Sequence, residues 1–149
     1  LMRLVLAMHD IGKAIDRATQ HIYTQSLIRE FWSESPFTDY ELKLVEALLK
    51  DDHLGKFFQG KYDCNMLQEE IKKDAEELQI DASCLLQLKM VLYQCDIASY
   101  TKDAGGLRYL EHMFVYENNK KTFNEENGLL AMSADYWSRY KQLKSLIYE

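Results

Sequence analysis

Residues 9–13, His-Asp-Ile-Gly-Lys, place an imidazole, a carboxylate and an ammonium group within one short stretch of the chain. Imidazole and carboxylate side chains both bind divalent metal ions, and such an ion activates water and polarises a phosphoryl oxygen. A lysine beside them would offset the negative charge that develops when water attacks a phosphate ester. The stretch therefore indicates metal-assisted hydrolysis of a phosphate ester, with His9 and Asp10 as metal ligands.

A helix must position this pair, because the preceding residues repeat apolar side chains at helical spacing. The stripe consists of Leu1, Leu4, Val5 and Met8. A second carboxylate, Asp96, falls within another apolar helical pattern. A carboxylate there is costly to desolvate unless it is paired or bound to a metal. Asp96 is therefore a third candidate ligand, and a structural salt bridge is the alternative.

His9, Asp10 and Asp96 together give the sequence its likeness to a known family. The sequence resembles the HD superfamily of metal-dependent phosphohydrolases, which bind one or two divalent ions through a lone His, a His-Asp pair and a distant Asp. The resemblance implies an all-α fold, an HD-domain-like helical bundle. The lone first His would lie upstream of Leu1, so we expect the chain to be a fragment that lacks the N-terminal helix.

Two further histidines gain candidate roles from this resemblance. HD domains like those appended to tRNA nucleotidyltransferases carry a His comparable to His21, as a phosphate contact or second-metal ligand. Dinuclear members use extra histidines after the pair, which makes His53 another candidate metal ligand. The alternatives are a surface histidine near a helix N-terminus for His21 and a solvated loop histidine for His53.

The resemblance also places Lys13 near the substrate phosphate, as a catalytic and substrate-binding cation, with Arg17 as a weaker companion. Asp10 is a catalytic candidate as well, since either Asp10 or a group behind the metal ligands would accept a proton from the attacking water. The alternative for Lys13 is a cation placed favourably at the C-terminal end of a helix.

Length and composition are typical of one helical domain. The chain has 149 residues, of which 47% are hydrophobic, with a single proline and six glycines. We expect one domain over residues 1–149, with a core over about 1–116 and a C-terminal loop and helix over 117–149. The formal net charge of −6 argues against general nucleic-acid binding, which depends on clustered Lys and Arg.

Three cysteines without CxxC spacing indicate reduced, mostly buried thiols and a cytoplasmic location. No apolar run approaches the ~18 residues of a membrane span. Periodicity and capping signals predict helices over about 18–32, 38–50, 66–78, 82–103, 107–114 and 133–147, and no strand. Gly12 is expected to end the first helix in a left-handed conformation, and residues 118–121 to form a flexible loop.

The sequence thus predicts a metal-dependent phosphohydrolase for a phosphomonoester or phosphodiester, with a small, nucleotide-like phosphorylated substrate. The ion would be Mn, Fe, Ni, Co or Mg, since mixed His and carboxylate ligands suit each of them. Other domains of a larger parent chain are expected partners, and the isolated segment should be a poor enzyme. One alternative is a non-catalytic HD-like nucleotide-binding or regulatory module. Another is a helical interaction domain whose His-Asp pair is structural.

Overall fold

The fold is all-α with one short hairpin, which confirms the predicted class. The computed structural model describes residues 1–16, 18–99 and 112–148. A 3-10 helix, Ile11–Ala14, follows the first α-helix, and the hairpin precedes the last one. The helices are α1 (Met2–Met8), α2 (Gln20–Trp32), α3 (Asp39–Leu49), α4 (His53–Phe58), α5 (Cys64–Leu78), α6 (Ala82–Ser99) and α7 (Ala134–Tyr148).

Helix α6 lies at the centre of the molecule and packs against α1, α3, α4, α5 and α7. Its residues Leu85, Leu86 and Met90 are completely buried. A helix with apolar residues on most of its circumference is stable only when other elements cover it on several sides. The position of α6 explains how its side chains meet residues from both ends of the chain, since Asp96 contacts His9 and Gln94 contacts Leu130.

Local signals set several helix boundaries. Helix α3 begins with the predicted capping box: the backbone N–H of Glu41 donates to the Thr38 hydroxyl at 3.2 Å, and the Thr38 N–H donates to the Glu41 carboxylate at 2.8 Å. Asp63 caps α5 by accepting from two backbone N–H groups of its first turn. These reciprocal bonds satisfy donors that a helix N-terminus otherwise leaves exposed.

The prediction for Gly12 is wrong. The described glycines with positive φ are Gly60 and Gly128, whereas Gly12 lies inside the 3-10 helix. It is buried against α2, and a Cβ added there would stand 2.1 Å from the Gln20 carbonyl oxygen. Its N–H donates to the Thr24 hydroxyl at 3.1 Å. The missing side chain therefore permits a close approach of two backbones.

The expected loop at residues 118–121 is instead part of an antiparallel hairpin of β1 (Tyr116–Glu117) and β2 (Lys120–Lys121), so the prediction of no strand is also wrong. Asn118 and Asn119 both adopt positive φ, 51° and 61°. This is the backbone of a tight two-residue hairpin turn, and asparagine tolerates it better than most residues.

The burial of the cysteines and the segment around residue 114 also differ from what the sequence predicts. Cys64 is buried, but Cys84 and Cys95 are exposed, so the thiols are not mostly buried. The predicted helix over 107–114 lies outside the described residues except for 112–114, where Phe114 forms a β-bridge with Met132. In the part of the chain that the structure describes, no helix has the length and apolar character required to cross a bilayer.

Candidate metal centre and cavity

His9 stands at the C-terminal end of α1, where two contacts orient its ring. Its Nδ1 lies 2.7 Å from the carbonyl oxygen of Leu6, one turn earlier in the helix. Because a carbonyl only accepts hydrogen bonds, Nδ1 carries a proton. Nε2 then faces two carboxylates, at 3.1 Å from Oδ1 of Asp96 and 3.5 Å from Oδ2 of Asp10.

The packing of α1 against α6 brings Asp96 to a histidine 87 positions earlier in the chain. His9, Asp10 and Asp96 each offer one ligand atom, and these atoms all lie within 4.8 Å of one another. All three residues are partly buried. One imidazole nitrogen and two carboxylate oxygens form a donor set that suits a divalent transition metal or Mg²⁺, so the residues fit the expected cofactor.

The electrostatics of this cluster also favour a cation. The hydrogen bond to Asp96 raises the pKa of His9 above its ordinary value of 6.5; burial opposes this, while Leu6 and the charge of Asp10 add to it. The two carboxylates therefore stabilise positive charge on the imidazole between them. A divalent ion would supply that charge in place of the proton, so metal binding should compete with protonation of His9.

Lys13 extends the site, because its ammonium group lies 2.5 Å from Oδ2 of Asp10. The 3-10 helix places the two side chains three positions apart on one side. One oxygen of Asp10 thus faces both the ammonium group and the His9 imidazole. Lys13 is close to the three candidate ligands and reduces the net negative charge of their surroundings.

The cluster opens into a cavity of about 510 Å³ between the helices. The candidates Lys13, His21 and His53 line it together with His9, Asp10 and Asp96. His21 is exposed at the start of α2, and His53 is half-buried at the start of α4. Neither belongs to the three-residue ligand cluster found in the described part of the chain. Arg17, the remaining candidate, lies outside the described residues.

Asp52 lines the same cavity, although the sequence did not single it out as a functional residue. It caps α4 by accepting from the Gly55 N–H at 3.1 Å. The side chain is open to solvent along the cavity, yet protein atoms crowd its carboxyl group, and this burial raises its pKa. The Gly55 bond opposes the rise, and the negative charge of Asp96 adds to it. The signal in the sequence was an aspartate at a helix start, beside a candidate histidine.

His53 belongs to a second network that the sequence did not reveal. Its Nδ1 lies 2.8 Å from Oε2 of Glu70 on α5, and the Tyr62 hydroxyl donates to the other oxygen of Glu70. The rings of His53 and Tyr62 stack with centroids 4.3 Å apart and planes within 10°. His53 is therefore held by two contacts, the hydrogen bond with Glu70 and the stack on Tyr62.

An ion-pair cluster around the buried carboxylate of Asp74 forms another part of the cavity wall. Asp74, only 6% exposed, binds Lys50 at 3.0 Å, and its second oxygen lies 3.9 Å from Lys89. Lys89 also donates to the carbonyl of Ala47 at 2.5 Å, and burial lowers its pKa. These contacts join α3, α5 and α6 and satisfy charges that would be costly if left unpaired.

No family model, curated protein or solved structure matches this chain. Conclusions about function therefore rest on the residues and geometry of the site.

Proposed function

We propose that this chain is an HD-type metal-dependent phosphohydrolase that acts on a phosphomonoester or phosphodiester, with a nucleotide-like substrate. The convergence of His9, Asp10 and Asp96 at a cavity carries the proposal, since Asp96 comes from a position 87 residues after His9. Lys13 beside them adds the cation that phosphoryl transfer favours.

His9 Nε2 and the carboxylates of Asp10 and Asp96 would hold a divalent ion, whether Mn, Fe, Ni, Co or Mg. Bound there, the ion would polarise a phosphoryl oxygen and lower the pKa of water. The Leu6 carbonyl keeps Nε2 directed at the carboxylates, as a partner of the distal ring nitrogen commonly does for metal-binding histidines.

Lys13, which pairs with Asp10, and His21, which lines the same cavity, would contact the substrate phosphate. The Lys13 ammonium group offsets the charge that develops on the phosphoryl oxygens. Asp10 would accept the proton of the attacking water, and Asp52 is a second acceptor. A carboxyl group whose pKa is raised towards neutrality holds a proton better than an ordinary one, which suits such a role.

The size of the cavity supports a substrate of nucleotide dimensions. At about 510 Å³ it falls within the range of ~300–1,000 Å³ for small-molecule sites. Its wall combines apolar side chains such as Leu48, Leu92 and Tyr93 with the metal cluster and with charged side chains of α5, α6 and the C-terminal end of α3. The apolar part can accommodate a base or sugar while the phosphate is held at the metal cluster.

Metal content and turnover of Asp96→Asn test the proposal. The purified chain, saturated in turn with Mn²⁺, Ni²⁺ and Mg²⁺, should bind metal and hydrolyse members of a phosphoester panel, although slowly, since the isolated segment is expected to be a poor enzyme. Asp96→Asn keeps the side-chain shape but removes a ligand charge, so it should lose both properties. Asp135→Asn, on the exposed first turn of α7, is the matched control. Stoichiometric metal in Asp96→Asn would overturn the assignment.

A non-catalytic nucleotide-binding or regulatory module is the second candidate. The three-donor cluster of the described residues favours it, because three protein ligands without a fourth hold an ion less firmly. This candidate predicts that the chain binds nucleotides, measured by calorimetry, without turnover under any metal. Hydrolysis that depends on both metal and Asp96 would instead establish the enzyme.

A further inference from the structure

Glu70 receives hydrogen bonds from two aromatic side chains that stack on each other. His53 begins α4, Tyr62 lies between α4 and α5, and Glu70 is on α5. The imidazole Nδ1 contacts one carboxylate oxygen at 2.8 Å, and the phenol hydroxyl donates to the other. Since the ring stack also fixes the imidazole plane, this network determines both the position and the orientation of His53.

The contacts also determine which nitrogen of His53 carries the proton. The hydrogen bond to Glu70 raises the pKa of Tyr62 to about 12, so the phenol stays neutral and donates. Burial alone would raise the pKa of Glu70, but its bonds with Tyr62 and His53 prevail and lower it. An ionised carboxylate only accepts, so the His53 contact must be an Nδ1–H donation. In the neutral imidazole, Nε2 then carries a lone pair.

The location of His53 limits what this lone pair can do. The residue lines the cavity but is not part of the cluster formed by His9, Asp10 and Asp96. Phosphoryl oxygens are acceptors and gain no hydrogen bond from a lone pair, whereas a hydroxyl or amino group does. His53 therefore suits the portion of a ligand that extends away from a phosphate held at the cluster.

We propose that Glu70 is a positioning residue that, with Tyr62, holds His53 as the Nδ1–H tautomer, so that Nε2 recognises a hydroxyl or amino group of the substrate. The recognition step rests on the proposed phosphoester substrate, whereas the tautomer does not. A carboxylate orients a histidine in the same way at metal-binding histidines and in catalytic triads, where the other ring nitrogen also keeps its lone pair. The substrate class narrows accordingly to phosphate esters that carry such a donor, as nucleotides do.

The tautomer can be measured directly by long-range ¹H–¹⁵N NMR of the histidine side chains in the full chain. Wild-type His53 should show a protonated Nδ1 and an unprotonated Nε2 above the pH at which imidazoles are charged. Glu70→Ala should shift it towards the Nε2–H tautomer that isolated imidazoles favour, whereas Glu70→Gln, which keeps an acceptor oxygen, should retain Nδ1–H. Glu69→Ala, an exposed neighbour on α5, is the matched control. An unchanged tautomer in folded Glu70→Ala would overturn the proposal.

Addition of Zn²⁺ separates this role from metal ligation. One equivalent of the ion should shift the ring nitrogens of His9 and leave Nε2 of His53 unchanged. Direct coordination of His53 Nε2 by that equivalent would overturn the assignment of His53 to substrate recognition. Because the ion is used alone, this measurement is independent of any hydrolytic activity.

Two substrates test recognition itself. Adenosine 5′-monophosphate carries hydroxyl and amino donors, whereas p-nitrophenyl phosphate carries none outside its phosphate. In the metal-loaded protein, Glu70→Ala should raise KM for the nucleotide by about tenfold more than KM for the aryl phosphate, the effect of about one lost hydrogen bond. Equal changes would overturn the recognition step. If the wild type hydrolyses neither these compounds nor any other member of the phosphoester panel, the phosphohydrolase proposal fails, and nucleotide affinity in the same variants then tests recognition.

Discussion

Gly12 lies where a single added methyl group should be costly. An alanine Cβ would stand 2.1 Å from the Gln20 carbonyl oxygen and 2.6 Å from the Thr24 hydroxyl oxygen. A comfortable carbon–oxygen contact is about 3.3 Å, so the 3-10 helix and α2 would have to separate by about 1 Å. Overpacking of this kind costs about 1–3 kcal/mol, and loss of the Gly12–Thr24 hydrogen bond adds about 1 kcal/mol. We expect Gly12→Ala to lose about 3 kcal/mol of unfolding free energy.

Urea unfolding followed by circular dichroism measures this loss, and Tm should fall by about 6–12 °C for a chain of this size. Gly128→Ala is the control, since its added Cβ meets nothing within 4 Å and the cost comes from a φ of 69° alone. That conformation should cost only about 1 kcal/mol. If the two variants lose equal stability, or Gly12→Ala unfolds like the wild type, the close approach of the backbones does not constrain the fold.

Three further measurements test other parts of the structure. Thr38→Ala breaks the capping box of α3 and should cost about 1 kcal/mol in urea unfolding, whereas an unchanged midpoint would mean that the cap contributes nothing. Asp96 raises the pKa of His9 in the folded protein. The contact between the two residues therefore stabilises the metal-free protein fully below about pH 6.5, and this stabilisation is lost as the pH rises through the pKa of His9 in the folded state. The stability difference between wild type and Asp96→Asn should therefore be larger near pH 6 than near pH 9, and a pH-independent difference would contradict the His9–Asp96 bond. His21→Ala should leave one metal bound while weakening turnover or phosphate affinity. Wild-type kinetics in this variant would mean that His21 is a surface histidine with no role in the site.

Much of the helical fold follows from local patterns in the sequence. Apolar spacing predicted α2, α3, α5 and α7 to within about two residues, and the capping box of α3 is confirmed atom by atom. These features depend on residues three or four positions apart, whose relation a helix fixes in advance. The candidate ligands His9, Asp10 and Asp96 could be selected because each belongs to such a local pattern.

Backbone conformation was harder to predict where it depends on a distant neighbour. Gly12 looked like a left-handed residue because it follows a helix, yet its environment is set by Gln20 and Thr24 across the contact with α2. The sequence shows that a glycine is present but not which backbone passes beside it. The Asn118–Asn119 turn could have been recognised, since two asparagines between short polar segments favour a left-handed hairpin turn.

The tautomer of His53 in the cavity wall was even harder to predict, because it depends on tertiary packing. His53 and Glu70 are 17 residues apart, and their meeting requires α4 and α5 to pack at one particular angle. Without that contact, His53 could be interpreted as a metal ligand, a phosphate contact or a solvated residue, because an isolated imidazole can serve each purpose. The bond to Glu70 narrows these roles by assigning the proton to Nδ1, because Nε2 of the neutral ring then accepts and cannot donate to a phosphate. The sequence therefore identifies which side chains can do chemistry here. Packing decides which ring nitrogen of a histidine carries the proton, and so whether the other nitrogen can donate or accept a hydrogen bond.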